Sequence, residues 1–140
     1  MSRRLILGCV VAMAAACGGS NPAPAPTPIS IAGAWSGTWQ FVTSGVTVTD
    51  NVHATFTQTD TATGNWTADS GATGQFTFRP ASSVTGTMTI AQPRVSGGTC
   101  TATANLTGMV SANAMTLSVP TIPPSALCAW ATNHQFSLHR

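Results

Sequence analysis

Six side chains in this sequence could carry acid–base chemistry: the carboxylates of Asp50, Asp60 and Asp69 and the imidazoles of His53, His134 and His139. A hydrolase would need two carboxylates converging across a cleft. Each of the three instead stands beside turn-forming residues, in Asp50-Asn51, at Asp60 where a threonine-rich run ends, and in Asp69-Ser70-Gly71, so turn chemistry accounts for all of them. His134 and His139 are five residues apart in one extended run, which places them on opposite faces and excludes a facing metal pair. His53 falls on a threonine-lined face and reads as a solvated side chain. No Gly-x-Ser-x-Gly elbow occurs, and Ser96-Gly97-Gly98-Thr99 lacks the lysine and the following helix of a phosphate loop. The expectation is a non-enzyme, with no catalytic residue, no cofactor and no metal.

Charge is as sparse as chemistry. Five arginines face three aspartates, with no lysine and no glutamate in 140 residues. Arg3 and Arg4 stand at the extreme N-terminus; without them three Arg meet three Asp, and no field remains to gather a phosphate backbone. Nucleic-acid binding is therefore excluded. The length suits one domain. With 43% hydrophobic and 6% charged residues the main body is opposite to a disordered composition, and 23 threonines favour strands.

The N-terminus reads as an export signal over residues 1–16: Met-Ser-Arg-Arg, an apolar stretch from Leu5 to Ala16 too short to span a bilayer, then small residues. Ala14-Ala15-Ala16-Cys17 resembles the lipobox of bacterial lipoproteins, which implies cleavage before Cys17 and acylation of its thiol. Ile6-Leu7-Gly8-Cys9 fits the local pattern too, but leaves only a short apolar segment upstream; a signal peptide cut nearby without lipid is the other alternative. The resemblance implies attachment to the cell envelope through the N-terminal lipid, and Gly18 rather than Asp after the cysteine favours the outer membrane. Residues 17–30 would then be the lipidated cysteine and a linker. Asn21-Pro22-Ala23-Pro24-Ala25-Pro26-Thr27-Pro28 alternates proline with small residues, an extended spacer that reaches roughly 40 Å at about 3.1 Å per residue. Cys100 and Cys128 remain as an even pair in an oxidising compartment, and a disulfide between them should contribute roughly 3–4 kcal/mol. Neither cysteine has the Cys-x-x-Cys spacing of a zinc or redox site.

Residues 31–140 form the domain. Alternation of period two, broken by Gly, Asn, Asp and Pro, predicts strands over 34–43, 48–58, 64–68, 74–79, 84–91, 100–110, 114–119 and 128–138, with no helix. The apolar faces carry Trp35, Trp39 and Phe41, then Phe56, Trp66, Phe76 and Phe78, and finally Trp130 and Phe136. Eight such strands predict an all-β antiparallel meander closed into an up-and-down barrel, with a β-sandwich as the alternative. The nine aromatic residues would be its core or the lining of a small apolar ligand site.

Gly33-Ala34-Trp35 opens the first strand and Arg140 follows the last. A Gly-x-Trp start with a late basic residue resembles the calycin superfamily of lipocalins, avidins and small bacterial protease inhibitors. The resemblance implies that Trp35 and Arg140 cap one barrel end. This chain ends at the strand, without a lipocalin helix, and lacks the tyrosines of avidins and fatty-acid binders, so no biotin or fatty-acid site is carried over. Three functions remain open: binding of a small apolar ligand inside the barrel, a protein-binding module such as a protease inhibitor working through the loop 120–127, and an envelope structural protein without ligand.

Overall fold

Threonine and apolar residues on alternate positions favour extended backbone, and short connections such as Ser44-Gly45 and Asp69-Ser70-Gly71 reverse it, so neighbouring strands pair in sequence. The computed structural model describes residues 29–79, 82–94, 97–123 and 128–140; the expected signal peptide, Cys17 and the linker up to Pro28 lie outside them. Eight strands follow in order: β1 (Gly33–Thr43), β2 (Val46–Gln58), β3 (Thr63–Ala68), β4 (Thr73–Arg79), β5 (Ser83–Pro93), β6 (Thr99–Val110), β7 (Ala114–Val119) and β8 (Thr132–His139). All neighbours are antiparallel, and β1 pairs with β8 to close the barrel, which leaves the sandwich aside.

The β1–β2 hairpin turns at Ser44 and Gly45, both with positive φ, the geometry of a type I′ turn whose twist matches the strands. Lengths are unequal, and this shapes the two ends. β3 pairs with β2 only from Ala54 to Gln58, so the half of β2 from Val46 to Val52 pairs with β1 alone and stands above the short β3–β4 hairpin. β7 likewise pairs with β6 only at Thr107–Val110. One end of the barrel is therefore ragged, with β1–β2 and β5–β6 projecting, while the other is level.

Inward residues fill the cylinder. Trp35, Phe56, Trp66, Phe76, Phe78 and Phe136 are all buried, with Val52, Val84, Met88, Leu106, Met115, Leu117 and Leu138 between them. Inward glycines oppose the large rings: Gly64 and Gly86 are the cross-strand partners of Phe76, and Gly74 that of Trp66. A Cβ at Gly74 would collide with the Thr87 carbonyl and the Trp66 indole nitrogen. Its absence lets the Trp66 Nε1–H cross β4 and donate to the Thr87 carbonyl at 3.0 Å.

The last strand departs from expectation. Extended pairing begins at Thr132, not at residue 128, because the preceding segment is drawn toward β5 and β6. There Cys128 is disulfide-bonded to Cys100, and Gln92 donates to the Ala129 carbonyl at 2.9 Å. Trp130 consequently lies on the connection before β8 rather than on an inward strand position, partly buried against the core. Asp50 is the second departure. It is no turn residue: β2 runs straight through it, opposite Trp39 of β1.

Gly74→Ala should lower stability by about 1–3 kcal/mol, the usual range for forcing a methyl group into a packed core. Denaturant unfolding measures the loss, and altered near-ultraviolet circular dichroism of Trp66 would locate it.

Candidate functional site

Chain entry builds the level end. Residues 30–32 cross it and are held from two sides. The Gln58 side-chain oxygen accepts from Ser30 Oγ at 2.9 Å and from the Ile31 and Ala32 amides at 3.1 Å each. Arg140 donates through Nη2 to the carbonyls of Ser30 at 2.8 Å and Ala32 at 2.9 Å, while its guanidinium lies 4.4 Å above the Trp35 ring. Beneath it the Trp35 Nε1–H donates to the Ile31 carbonyl at 2.9 Å, and both residues are buried. Cation–π contact and charge-assisted hydrogen bonds act on the same cap. Gln58 was not foreseen as part of it, although it continues the inward series Val52, Ala54, Phe56.

Above this cap the rings touch one another in sequence. Trp35 meets Phe56 edge-on at 6.5 Å; Phe56 stacks on Trp66 at 6.0 Å and tilts against Phe76 at 5.6 Å; Trp66 meets Phe136 edge-on at 5.9 Å. Phe136 lies parallel to Trp39 at 5.5 Å, and Trp39 touches Phe41 at 4.8 Å. Of the nine aromatic residues expected to form core or ligand lining, six are thus committed to filling the barrel. Trp39, Phe41 and Trp130, all at the ragged end, keep surface in contact with solvent.

That end also holds His134, 1% exposed and the sole buried side chain among the described residues that is polar or charged. The Trp39 indole Nε1–H reaches His134 Nδ1 at 3.1 Å, and an indole nitrogen can only donate. Nδ1 must therefore accept, so the proton sits on Nε2, which donates to the Ala131 carbonyl at 3.0 Å. One neutral ring thereby ties β1, β8 and the segment ahead of β8 together, and it stacks on Trp39 at 5.6 Å and Phe41 at 5.9 Å. Its place was legible from its two-residue spacing to Phe136 and Leu138, an inward series. Trp130 Nε1 is buried without a hydrogen-bond partner among the described residues. In the loop expected to make protein contacts, Ile122 is buried while Pro120, Thr121 and Pro123 are exposed; residues 124–127 lie outside the described residues.

The outer face carries the remaining titratable groups. His53 Nδ1 and Asp69 Oδ2 are 2.9 Å apart, and the His53 amide donates to Asp69 Oδ1 at 3.1 Å. Both side chains are well exposed, at 70% and 51%, so the pair extends the β2–β3 ladder rather than sitting in a cleft. Asp60 caps its turn by accepting from the Ala62 and Thr63 amides and from Thr63 Oγ1. These hydrogen bonds hold both carboxyls below the ordinary carboxylate value. His139 is exposed, and the described residues contain no cluster of three metal-ligating side chains. No family model, no protein among the curated ones and no solved structure matches the chain.

Burial holds the His134 imidazole below its ordinary value of 6.5, with the Ala131 carbonyl pulling the other way. The unfolded chain then takes up its proton at a higher pH than the folded one. Stability should be complete above about pH 6.5 and decline as pH falls through that value until folded His134 itself titrates. Asp60 and Asp69 act in a separate window, below their ordinary value of 3.8. Thermal melts between pH 7.5 and 5 (roughly the range in which imidazoles titrate) should show a falling Tm in the native chain and a flatter profile in His134→Gln.

Proposed function

We propose that this chain is a non-catalytic envelope lipoprotein whose barrel binds a small apolar ligand at its ragged end. The observation that carries the reading is the division of the aromatic residues. Six are buried inside the barrel, whereas Trp39 and Phe41, in contact with each other, and Trp130 lie toward the ragged end and stay partly exposed. Large rings left at solvent beside a firm scaffold are the usual makings of an apolar binding site, since a ligand there removes surface that folding did not. The binding site accordingly belongs at the mouth and not deep inside, where Trp66 and Phe136 already meet.

The anchoring part of the proposal rests on the lipobox-like Cys17 and the proline-rich spacer, with the outer membrane as the favoured location. Residues 30–32 are held at the capped end, opposite to the ragged one. The Trp35–Arg140 contact supports the calycin-like reading. A protein-binding role, such as protease inhibition, is the second reading. It is favoured by Val46, 62% exposed at the hairpin tip, and by the unpaired edge of β2 beside it.

Titration with the neutral probe N-phenyl-1-naphthylamine should raise probe emission and quench tryptophan. Phe41→Ala should weaken binding about fivefold, the scale of one aromatic contact, with the fold kept and Tm lowered only by the loss of its contacts with Trp39 and His134. A folded chain that binds no apolar probe would remove the ligand reading and leave the protein-binding or purely structural ones. In cells, Cys17→Ser should move the chain from the membrane to the soluble fraction, which fractionation and immunoblotting would detect.

A further inference from the structure

Asp50 is the one carboxylate of the chain that the fold does not use. Asp60 caps a turn and Asp69 binds His53, but Asp50 has no hydrogen bond or ion pair among the described residues. It lies in the middle of β2, with Val52, Ala54 and Phe56 continuing its side of the strand into the core. It therefore shares the inward face, at the height where β2 has lost its β3 partner and the barrel is open. Its cross-strand partner is Trp39; one pair further out, Phe41 faces Val48. Directly opposite side chains in such a ladder have Cβ atoms about 4.5–5.5 Å apart and diagonal ones about 7–8 Å, so Asp50 is the direct neighbour of Trp39 and the diagonal neighbour of Phe41 on this face.

We propose that the mouth is selective for small organic cations with apolar substituents, of the quaternary ammonium kind. The proposal deepens the ligand-binding reading above and rests on it. Two features meet here that such a cation requires. Partly exposed indole and phenyl rings 4.8 Å apart offer negatively charged faces and an apolar wall. An unpaired carboxylate on the strand facing Trp39 supplies the counter-charge, while Arg140 caps the opposite end and Arg94 Nε is turned to Cys100 Sγ at 3.1 Å. His134, the remaining titratable group against these rings, is neutral, with both nitrogens committed to Trp39 and Ala131. Nothing at the mouth among the described residues competes for the Asp50 charge. A neutral apolar ligand would gain from the rings and nothing from Asp50. A cation gains from both.

The test compares choline with its uncharged carbon isostere, 3,3-dimethylbutan-1-ol, on the full chain, followed by the Trp39 indole N–H resonance and tryptophan emission. Choline should bind at least about fivefold more tightly, an advantage that shrinks as salt rises. Asp50→Asn should abolish most of that preference while leaving the isostere and N-phenyl-1-naphthylamine unaffected. Equal affinity for choline and its isostere, or a choline affinity untouched by Asp50→Asn, overturns the cation selectivity while apolar binding stands. Failure of every probe, neutral ones included, overturns the binding site itself. An inward charge on an unpaired strand can also serve to discourage edge pairing; an Asp50→Asn variant that self-associates but binds choline as before would assign Asp50 that role and overturn the proposal.

Discussion

Closure of the sheet through β1 is the constraint from which the rest follows. β1 pairs with β2 on one side and β8 on the other, so each inward residue of β1 shares the interior with both neighbours. Trp35 at its start must be covered by whatever follows β8, and Arg140 does this. Trp39, four residues further, must find a partner for its indole N–H in a space otherwise apolar, and β8 supplies His134. A closed cylinder of eight strands is just wide enough for side chains to fill. Where two large rings meet, a neighbouring position must be glycine, hence Gly64, Gly74 and Gly86 against Phe76 and Trp66.

The two ends differ because the strands differ in length. Level strands at the entry end allow a short stretch of chain, residues 30–32, to lie across the opening, held by Gln58, Trp35 and Arg140. Gln58 supplies one oxygen to three donors there, a concentration that fixes the path of the entering chain. At the opposite end β3, β4 and β7 stop early, and Ile122 and Trp130 pack against the core there. The Cys100–Cys128 disulfide, Gln92 and His134 hold residues 128–131 at three points.

Alternation made the strands readable, because the same threonine-out, apolar-in pattern recurs from 34 to 138 and each break holds a turn former. The barrel itself followed from the number of one-sided strands needing burial. What escaped was long-range or depended on where a strand stops. Trp39 and His134 are 95 residues apart, and only the β1–β8 pairing brings them together. Trp130 fits the alternation of the last run, yet its neighbours are held by the disulfide and by Gln92, which no local pattern reveals. Asp50-Asn51 looks like a turn by composition, but the tighter turn signal at Ser44-Gly45 lies close by, and β2 uses the pair as ordinary strand positions.

An aspartate in mid-strand is disfavoured by propensity, and one on an inward face would be costly if solvent were excluded. It is tolerated here because β2 outruns β3, leaving the inward side of its outer half open to water. The unequal strand lengths that create the mouth are therefore also what permits a charge inside it. In a barrel with matched strands the same residue would have to be paired or neutral. Here Asp50 is exposed to solvent opposite Trp39, without a hydrogen-bond or ion-pair partner among the described residues, at the barrel end opposite to the one that residues 30–32 cross.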